Sequence, residues 1–385
     1  VTDGLADWLR FALAPVSPAR QRSLLAAFGL PGNIFAQPHG HLASVVGHEA
    51  ADALHREPNP AALETALAWA GEEGNHILTL ADAMYPRALL EIADPPTVLY
   101  IKGNPDLFAR PALAMVGSRA PTTQGEANAE AFASSLGAAG LVIISGLAQG
   151  IDAAAHRGAL AVEGGSTIAV IGTGIDRVYP ARNAALAREI ANKGLIFSEF
   201  PLGTPPTRWN FPRRNRLIAG LSLGVLVVEA SLESGSLITA RLAAEAGREV
   251  FAIPGSIHSP QARGCHRLIR EGAKLVETAE DVFEELRGRI DGVLPRPAAT
   301  PRRTSPRPQQ ATPATSRPLP VPAHLAPEAI RVLEALCSEA RDIDTLALST
   351  GLAVETLYAH LLTLELEGFA ARQAGGGFLR LYSVA

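Results

Sequence analysis

The 385 residues carry 34 Lys plus Arg against 38 Asp plus Glu, a formal net charge of −4, with 47% hydrophobic and 19% charged residues. That length suits two or three domains with a sizeable core. The slightly acidic balance excludes a surface that binds nucleic acid everywhere, so any such contact must be a local basic patch.

Residues 1–70 contain no strand-like run. Leu5–Leu13, Pro18–Phe28, Leu42–Val46 and Ala61–Trp69 read as short helices broken by Gly and Pro, which predicts a small helical domain of the SAM or helix-hairpin-helix kind. A short piece, Ile77–Gly103, joins this domain to the next.

From about Pro111 to Ile290, short apolar runs rich in Val and Ile alternate with helical stretches. The runs are Ala112–Val116, Leu141–Ile144, Thr167–Ile171, Leu195–Ser198, Val225–Val228, Val250–Ile253 and Lys274–Val276. The helical stretches include Gly125–Ala139, Asp152–Ala161, Asn183–Ala191 and Ser236–Ala246. Strands that are apolar throughout, separated by helices, predict a parallel sheet covered on both faces, an α/β Rossmann-like doubly wound domain over 71–290.

Asp291–Pro322 holds nine prolines and five arginines with Asp291 as its only acid. Such a composition predicts a disordered linker. Beyond it, Pro327–Ser338, Asp344–Ser349 and Val354–Leu366 have helical patterns, and Phe369–Tyr382 reads as a hairpin turning at Gly375-Gly376-Gly377. Three helices and a hairpin predict a winged helix over 323–385. Yet residues 324–385 carry four Arg or Lys against eight Asp or Glu. A DNA-reading winged helix is basic, so a protein-contact role, or none beyond structure, is expected here.

Cys265 and Cys337 are the only cysteines and fit neither a disulfide framework nor a zinc spacing. No run of about 18 apolar residues occurs, and Val1–Arg10 lacks the pattern of a secretory leader. The expectation is a cytoplasmic protein without metal, cofactor or membrane span.

In an open parallel sheet ligands bind beyond the carboxyl ends of the strands. Those ends here run into Gly117-Ser118-Arg119, Ser145-Gly146-Leu147-Ala148-Gln149-Gly150, Gly172-Thr173-Gly174 and Ser234-Gly235-Ser236. Glycine admits close backbone approach and free amides at a helix start attract phosphate. Four such loops at one edge point to a phosphate-bearing ligand. The Gly-x-Gly-x-x-Gly turn of a dinucleotide site and the lysine of a phosphate-binding loop are both missing.

The basic cluster Arg208-Trp209-Asn210-Phe211-Pro212-Arg213-Arg214-Asn215-Arg216 interleaves guanidinium groups with aromatics. It reads either as a lip that forks onto phosphate and stacks on bases, or as a solvated helix start with Phe211 in the core. Asn215 and the separate Arg119 favour the first. His156 reads as a structural partner of Asp152. Glu199 and Glu229 end two strands and are expected to position arginines rather than to catalyse.

Residues 82–281 resemble the DprA (Smf) family. The matching text includes Tyr85-Pro86-x-x-Leu89, Val116-Gly117-Ser118-Arg119, Ser145-Gly146-Leu147-Ala148-x-Gly150-Ile151-Asp152-x-x-x-His156 and Val178-Tyr179-Pro180. It continues through Phe211-Pro212-x-Arg214-Asn215-Arg216, Ser234-Gly235-Ser236-Leu237-Ile238-Thr239, Ala252-Ile253-Pro254-Gly255 and Gly264-Cys265-His266-x-Leu268-Ile269. The resemblance implies a non-enzymatic protein that binds single-stranded DNA, protects it in natural transformation and helps load a RecA-type recombinase. It places the strand-binding pocket at Gly117, Ser118, Arg119, Gly146, Gly174, Arg214, Asn215, Arg216 and Ser234–Ser236, to which the basic cluster adds Arg213. It places a homodimer and recombinase contact at His266, Ile269 and Leu275. Family members commonly carry a lysine soon after the Tyr-Pro pair, where this chain has Ala184 and Ala185, with Arg182 as a substitute. The rival reading, a Rossmann-like nucleotide hydrolase, requires Pro-Gly-Gly-x-Gly-Thr, and Ser231-Leu232-Glu233-Ser234-Gly235-Ser236 does not match it.

Overall fold

The computed structural model describes residues 2–56, 60–290, 325–336, 341–372 and 377–381. The expected linker Asp291–Pro322, Cys337 and most of the expected glycine turn lie outside them. The chain divides into two compact units, Val1–Pro297 and Ala298–Ala385.

The first unit opens with six helices: α1 (Thr2–Leu13), α2 (Pro18–Phe28), α3 (Pro31–Phe35), α4 (His39–Val46), α5 (His48–His55) and α6 (Pro60–Ala70). Gly and Pro punctuate them as the sequence predicts. Ser17 caps α2 with its side chain, and Gly29, at φ +76°, ends that helix where a side chain would be strained. Phe11, Leu24, Ile34, Leu42 and Leu54 form a core among the helices. Trp8 and Leu9 pack with Tyr100 and Ile196 of the neighbouring sheet, and the ring of Trp69 meets that of Tyr100 edge-on at 6.0 Å.

There follow β1 (Asn75–Thr79), α7 (Arg87–Leu90), β2 (Val98–Gly103), β3 (Ala112–Val116), α8 (Thr123–Ala138), β4 (Val142–Ser145), α9 (Ile151–Leu160) and β5 (Thr167–Val170). The unit continues with α10 (Ala184–Lys193), β6 (Leu195–Ser198), α11 (Asn210–Leu221), β7 (Gly224–Val227), α12 (Ser236–Glu245), β8 (Glu249–Ala252), α13 (Arg263–Arg270), β9 (Lys274–Leu275) and α14 (Ala279–Ile290). The nine strands lie in the order β1-β2-β6-β5-β4-β3-β7-β8-β9. From β6 to β9 every pairing is parallel. Alternate residues of a strand face opposite sides, and each side finds its own core. Ala112, Ala114 and Val116 pack with α11 and α12 residues such as Leu217 and Ala240, whereas Leu113 and Met115 pack with Phe132, Ala155 and Leu286. The Rossmann-like reading holds.

One expectation is corrected. The piece Ile77–Gly103, expected to be a connection, contributes β1 and β2, which extend the sheet antiparallel beyond β6. Val98 and Tyr100 face one core and Leu99 and Ile101 another, so the first four residues of this strand are apolar and buried on both faces.

The second unit contains α15 (Pro327–Ala335), α16 (Ile343–Thr350), α17 (Val354–Leu366), β10 (Ala370–Arg372) and β11 (Phe378–Arg380). The Asp342 side chain accepts from Thr345 N–H at 2.7 Å and so caps α16, and Gly351 ends that helix in the left-handed region. Leu333, Leu346, Leu357, Leu361 and Phe378 fill its core. This is the expected winged helix. Among the described residues no helix is long and apolar enough to cross a membrane.

Candidate nucleic-acid interface

The chain runs outward in both directions from β3, with β4 on one side and β7 on the other. At such a reversal the loops after neighbouring strands diverge and leave a crevice. A groove of about 680 Å³ opens there, lined by Gly117, Ser118, Arg119, Phe211, Arg214, Asn215 and Ser234–Ser236 among others. A Cβ on Gly117 would stand 2.7 Å from the Ile151 side chain and 2.9 Å from Glu229 O, so only glycine lets this loop turn here. Helix α12 starts at the opposite wall. Gly235 gives it no side-chain cap, so its N-terminal dipole favours an anion in the groove. Beside it the Ser234 and Ser236 hydroxyls lie 2.7 Å apart.

Arg119 is exposed, and no carboxylate pairs with it among the described residues. Its guanidinium sits 5.6 Å from the Phe211 ring centre, and the Phe211 ring lies 5.5 Å from that of Tyr179, which a cis peptide bond joins to Pro180. At the outer end Trp209 is 70% exposed, with the Arg208 guanidinium 4.4 Å above it. A free cation beside half-exposed rings, facing a helix N-terminus, has groups for both phosphate and base. Phe211 is therefore a groove residue and not a core one.

The remaining arginines depart from expectation. Arg214 is only 3% exposed and not a lip residue. Its Nη1 donates to Gly146 O at 2.7 Å and to Val170 O, bracing the loop after β4 against β5. Burial pushes its pKa down to about 10, partly opposed by the charge of Asp152. Arg213 and Arg216 face away from the groove. Both bind the Glu199 carboxylate, at 3.1 and 2.7 Å, and Arg216 also binds Asp94 at 3.3 Å. Both are tied to carboxylates within the protein, and among the described residues the exposed cations that line the groove are Arg119 and Arg208. Position in a helix explains the split, because residues 213 and 216, three apart, share the face of α11 that meets Glu199, whereas residue 214 is turned about 100° away toward the sheet.

Gly146 lies beneath Arg214, whose guanidinium occupies the space a Cβ would need. The loop it belongs to is strained, with Leu147 at φ 57°. Asp152 accepts from Gly146 N–H at 3.1 Å and Ala148 N–H at 3.3 Å, while Asn183 Nδ2 donates to Leu147 O at 2.9 Å. Burial pushes the Asp152 carboxyl up, opposed by Arg214 and these amides. Gly174 lies outside the groove lining, its N–H donating to Thr204 O at 3.0 Å. Arg182 is exposed in the turn Ala181–Asn183 and does not line the groove either.

His156 does not pair with Asp152. Its Nδ1 lies 2.7 Å from Thr167 Oγ1, and that hydroxyl donates to Ile143 O at 2.6 Å. The hydroxyl must therefore accept from Nδ1–H. Burial, then the charge of Arg214, pushes the His156 pKa down to about 3, so the ring is neutral. Glu199 positions arginines as expected. Glu229 instead accepts from Thr122 N–H at 2.9 Å and Thr122 Oγ1 at 2.5 Å, fixing the start of α8.

Fold and groove together define a Rossmann-like protein with an anion-attracting, aromatic-lined crevice at its switch point and a winged helix appended. The family described as DNA recombination-mediator protein A matches residues 76–287, and the DprA winged helix domain matches residues 306–376. The chain belongs to the DprA family of DNA-processing proteins. It is 41% identical to Protein Smf of Escherichia coli over 83% of this chain and 81% of that one. It is 52% identical to DNA processing protein DprA of Streptococcus pneumoniae over 54% of this chain and 73% of that one. The X-ray structure of the Streptococcus pneumoniae protein superposes with a TM-score of 0.65 and 41% identity over 72% of this chain and 97% of that one. DNA processing protein A of Helicobacter pylori, a protein with a described single-stranded DNA binding mode, gives 0.50 and 32% over 55% and 96%.

Proposed function

We propose that this chain binds single-stranded DNA in the switch-point groove, protects incoming strands during natural transformation in the cytoplasm, and helps load a RecA-type recombinase, without catalysing a reaction. The observation that carries this reading is the unpaired Arg119 beside the Phe211 and Tyr179 rings, opposite the start of α12. Stacking rings reach bases only when these are unpaired, whereas the cation and the helix start serve any phosphate. Fluorescence anisotropy should show a labelled single strand held more tightly than its duplex, with little dependence on sequence. The two free cations, Arg119 and Arg208, set a log–log salt slope of about −1.4 per subunit, at about −0.7 for each phosphate neutralised. Equal affinity for the duplex would sink the groove as the binding site. Nuclease protection of the bound strand, and faster filament formation by a RecA-type recombinase on it, test the later steps.

The same reading includes a symmetric dimer through His266, Ile269 and Leu275. Strand β9 is the open edge of the sheet, and Leu275 on it is 43% exposed. An uncovered edge with apolar side chains invites pairing, and a patch meeting itself gives two-fold symmetry. Ile269 packs in part against its own core, so Leu275→Glu is the cleaner probe and Ile269→Glu the stronger one. Light scattering should show both variants at half the native mass. They should still bind short strands but hold long ones less tightly, because two linked grooves raise avidity. An unchanged mass in both variants excludes this interface.

A further inference from the structure

The second unit presents an apolar strip where a DNA-reading winged helix would present cations. On α17, Val354, Tyr358, Leu362 and Leu366 are 43%, 45%, 57% and 80% exposed. They recur every four residues, while Leu357, Leu361 and Leu364 turn inward to the core. At about 100° per residue the four occupy one strip roughly 120° wide and roughly 18 Å long. Glu355 and Glu365 fall inside the same strip, and α17 contains no Lys or Arg. Exposed apolar residues scattered singly are ordinary, but four in register along one helix form a contiguous patch.

Charge decides what fits this strip. A nucleic-acid backbone would meet two carboxylates and no cation on α17. A second copy fares no better. Antiparallel pairing that sets Val354 against Leu366 and Tyr358 against Leu362 also sets Glu355 against Glu365, and a parallel pairing sets each glutamate against itself. Like charges directly opposed are destabilising. A helix of another protein, with an apolar stripe flanked by Lys or Arg, covers the leucines and answers both glutamates. We propose that α17 is a docking surface for a basic amphipathic helix of a partner protein, independent of the DNA groove.

The probe is a fluorescein-labelled synthetic helical peptide of Leu and Lys at amphipathic spacing, titrated with the full chain. A Leu and Glu peptide of the same spacing and a DNA duplex serve as controls. The Leu/Lys peptide should bind one per chain, and the Leu362→Ser, Leu366→Ser double variant should bind it about tenfold or more weakly. Both leucines are exposed, so that variant should keep the native melting temperature and native single-strand binding. Glu355→Gln should weaken the peptide less and flatten its salt dependence. The proposal is overturned by no binding of the Leu/Lys peptide, equal binding by the double variant, preference for the Leu/Glu peptide, or duplex binding lost in the double variant. Self-association of the native chain that the double variant abolishes would assign the strip to a second copy instead, and would overturn it too.

Discussion

Replacing Arg214 with alanine is expected to destabilise the first unit by about 3–5 kcal/mol, the usual cost of removing one partner from a buried charge pair. For a unit of this size that lowers the melting temperature by roughly 10 °C. Gly146 O and Val170 O lose their shared donor, and Asp152 loses the guanidinium charge that opposes its desolvation. The deficit should depend on pH. Without Arg214, the folded-state pKa of Asp152 moves further above its unfolded value, so the protonated form becomes the favoured one in the core. A carboxyl raised in this way contributes stability below its unfolded pKa and loses it as pH rises through the folded one. His156 acts in the same direction, because it is released from the repulsion of Arg214. Melting curves of native and variant protein at about pH 5 and about pH 8 should therefore show the larger gap at the higher pH. A variant as stable as the native protein at both would show that Arg214 braces nothing.

Arg119→Ala is the complementary experiment, large in binding and small in stability. Arg119 is exposed, has no carboxylate partner among the described residues, and lies over Phe211 at the groove wall. Its removal should weaken single-strand binding by about 1–3 kcal/mol, roughly tenfold to a hundredfold, and leave the melting temperature unchanged within error. Arg119→Lys should recover less than half of that loss, because an ammonium neither forks onto phosphate nor stacks as a plane on an aromatic ring. Full recovery by lysine would reduce the contribution of Arg119 to simple charge. Binding untouched by alanine at moderate salt would move the site away from this groove.

The two arginines look alike in sequence and opposite in the structure, and the difference is one of distance along the chain. Arg214 is fixed by carbonyls 68 and 44 residues away, and Arg216 by Asp94, 122 residues away. No local window holds those partners. Arg208-Trp209-Asn210-Phe211 reads as nucleic-acid chemistry because its residue types sit side by side. Tyr179, which completes the aromatic ledge, carries no local signal beyond its place before Pro180. The strain at Leu147 is equally invisible, since its neighbours Gly146 and Gly150 are the residues that would ordinarily take such a conformation.

Features that repeat with a short period are legible in the residues alone. Strands buried on both faces must be apolar at nearly every position, so β3 to β8 announce themselves, whereas β2 reads as a connection because Pro95 and Pro96 precede its apolar run. The three helices of the winged unit show through their inward leucines in the same way. The edge that carries the groove is legible too, because glycine loops follow the strands in order. Which cations stay free is settled only once the chain is folded. A guanidinium reaches outward only when no carboxylate or carbonyl lies within hydrogen-bonding range, and that depends on how the sheet stacks Glu199, Asp94, Gly146 and Val170 around α11. Folding leaves Arg119 and Arg208 facing solvent and ties Arg213, Arg214 and Arg216 into the protein.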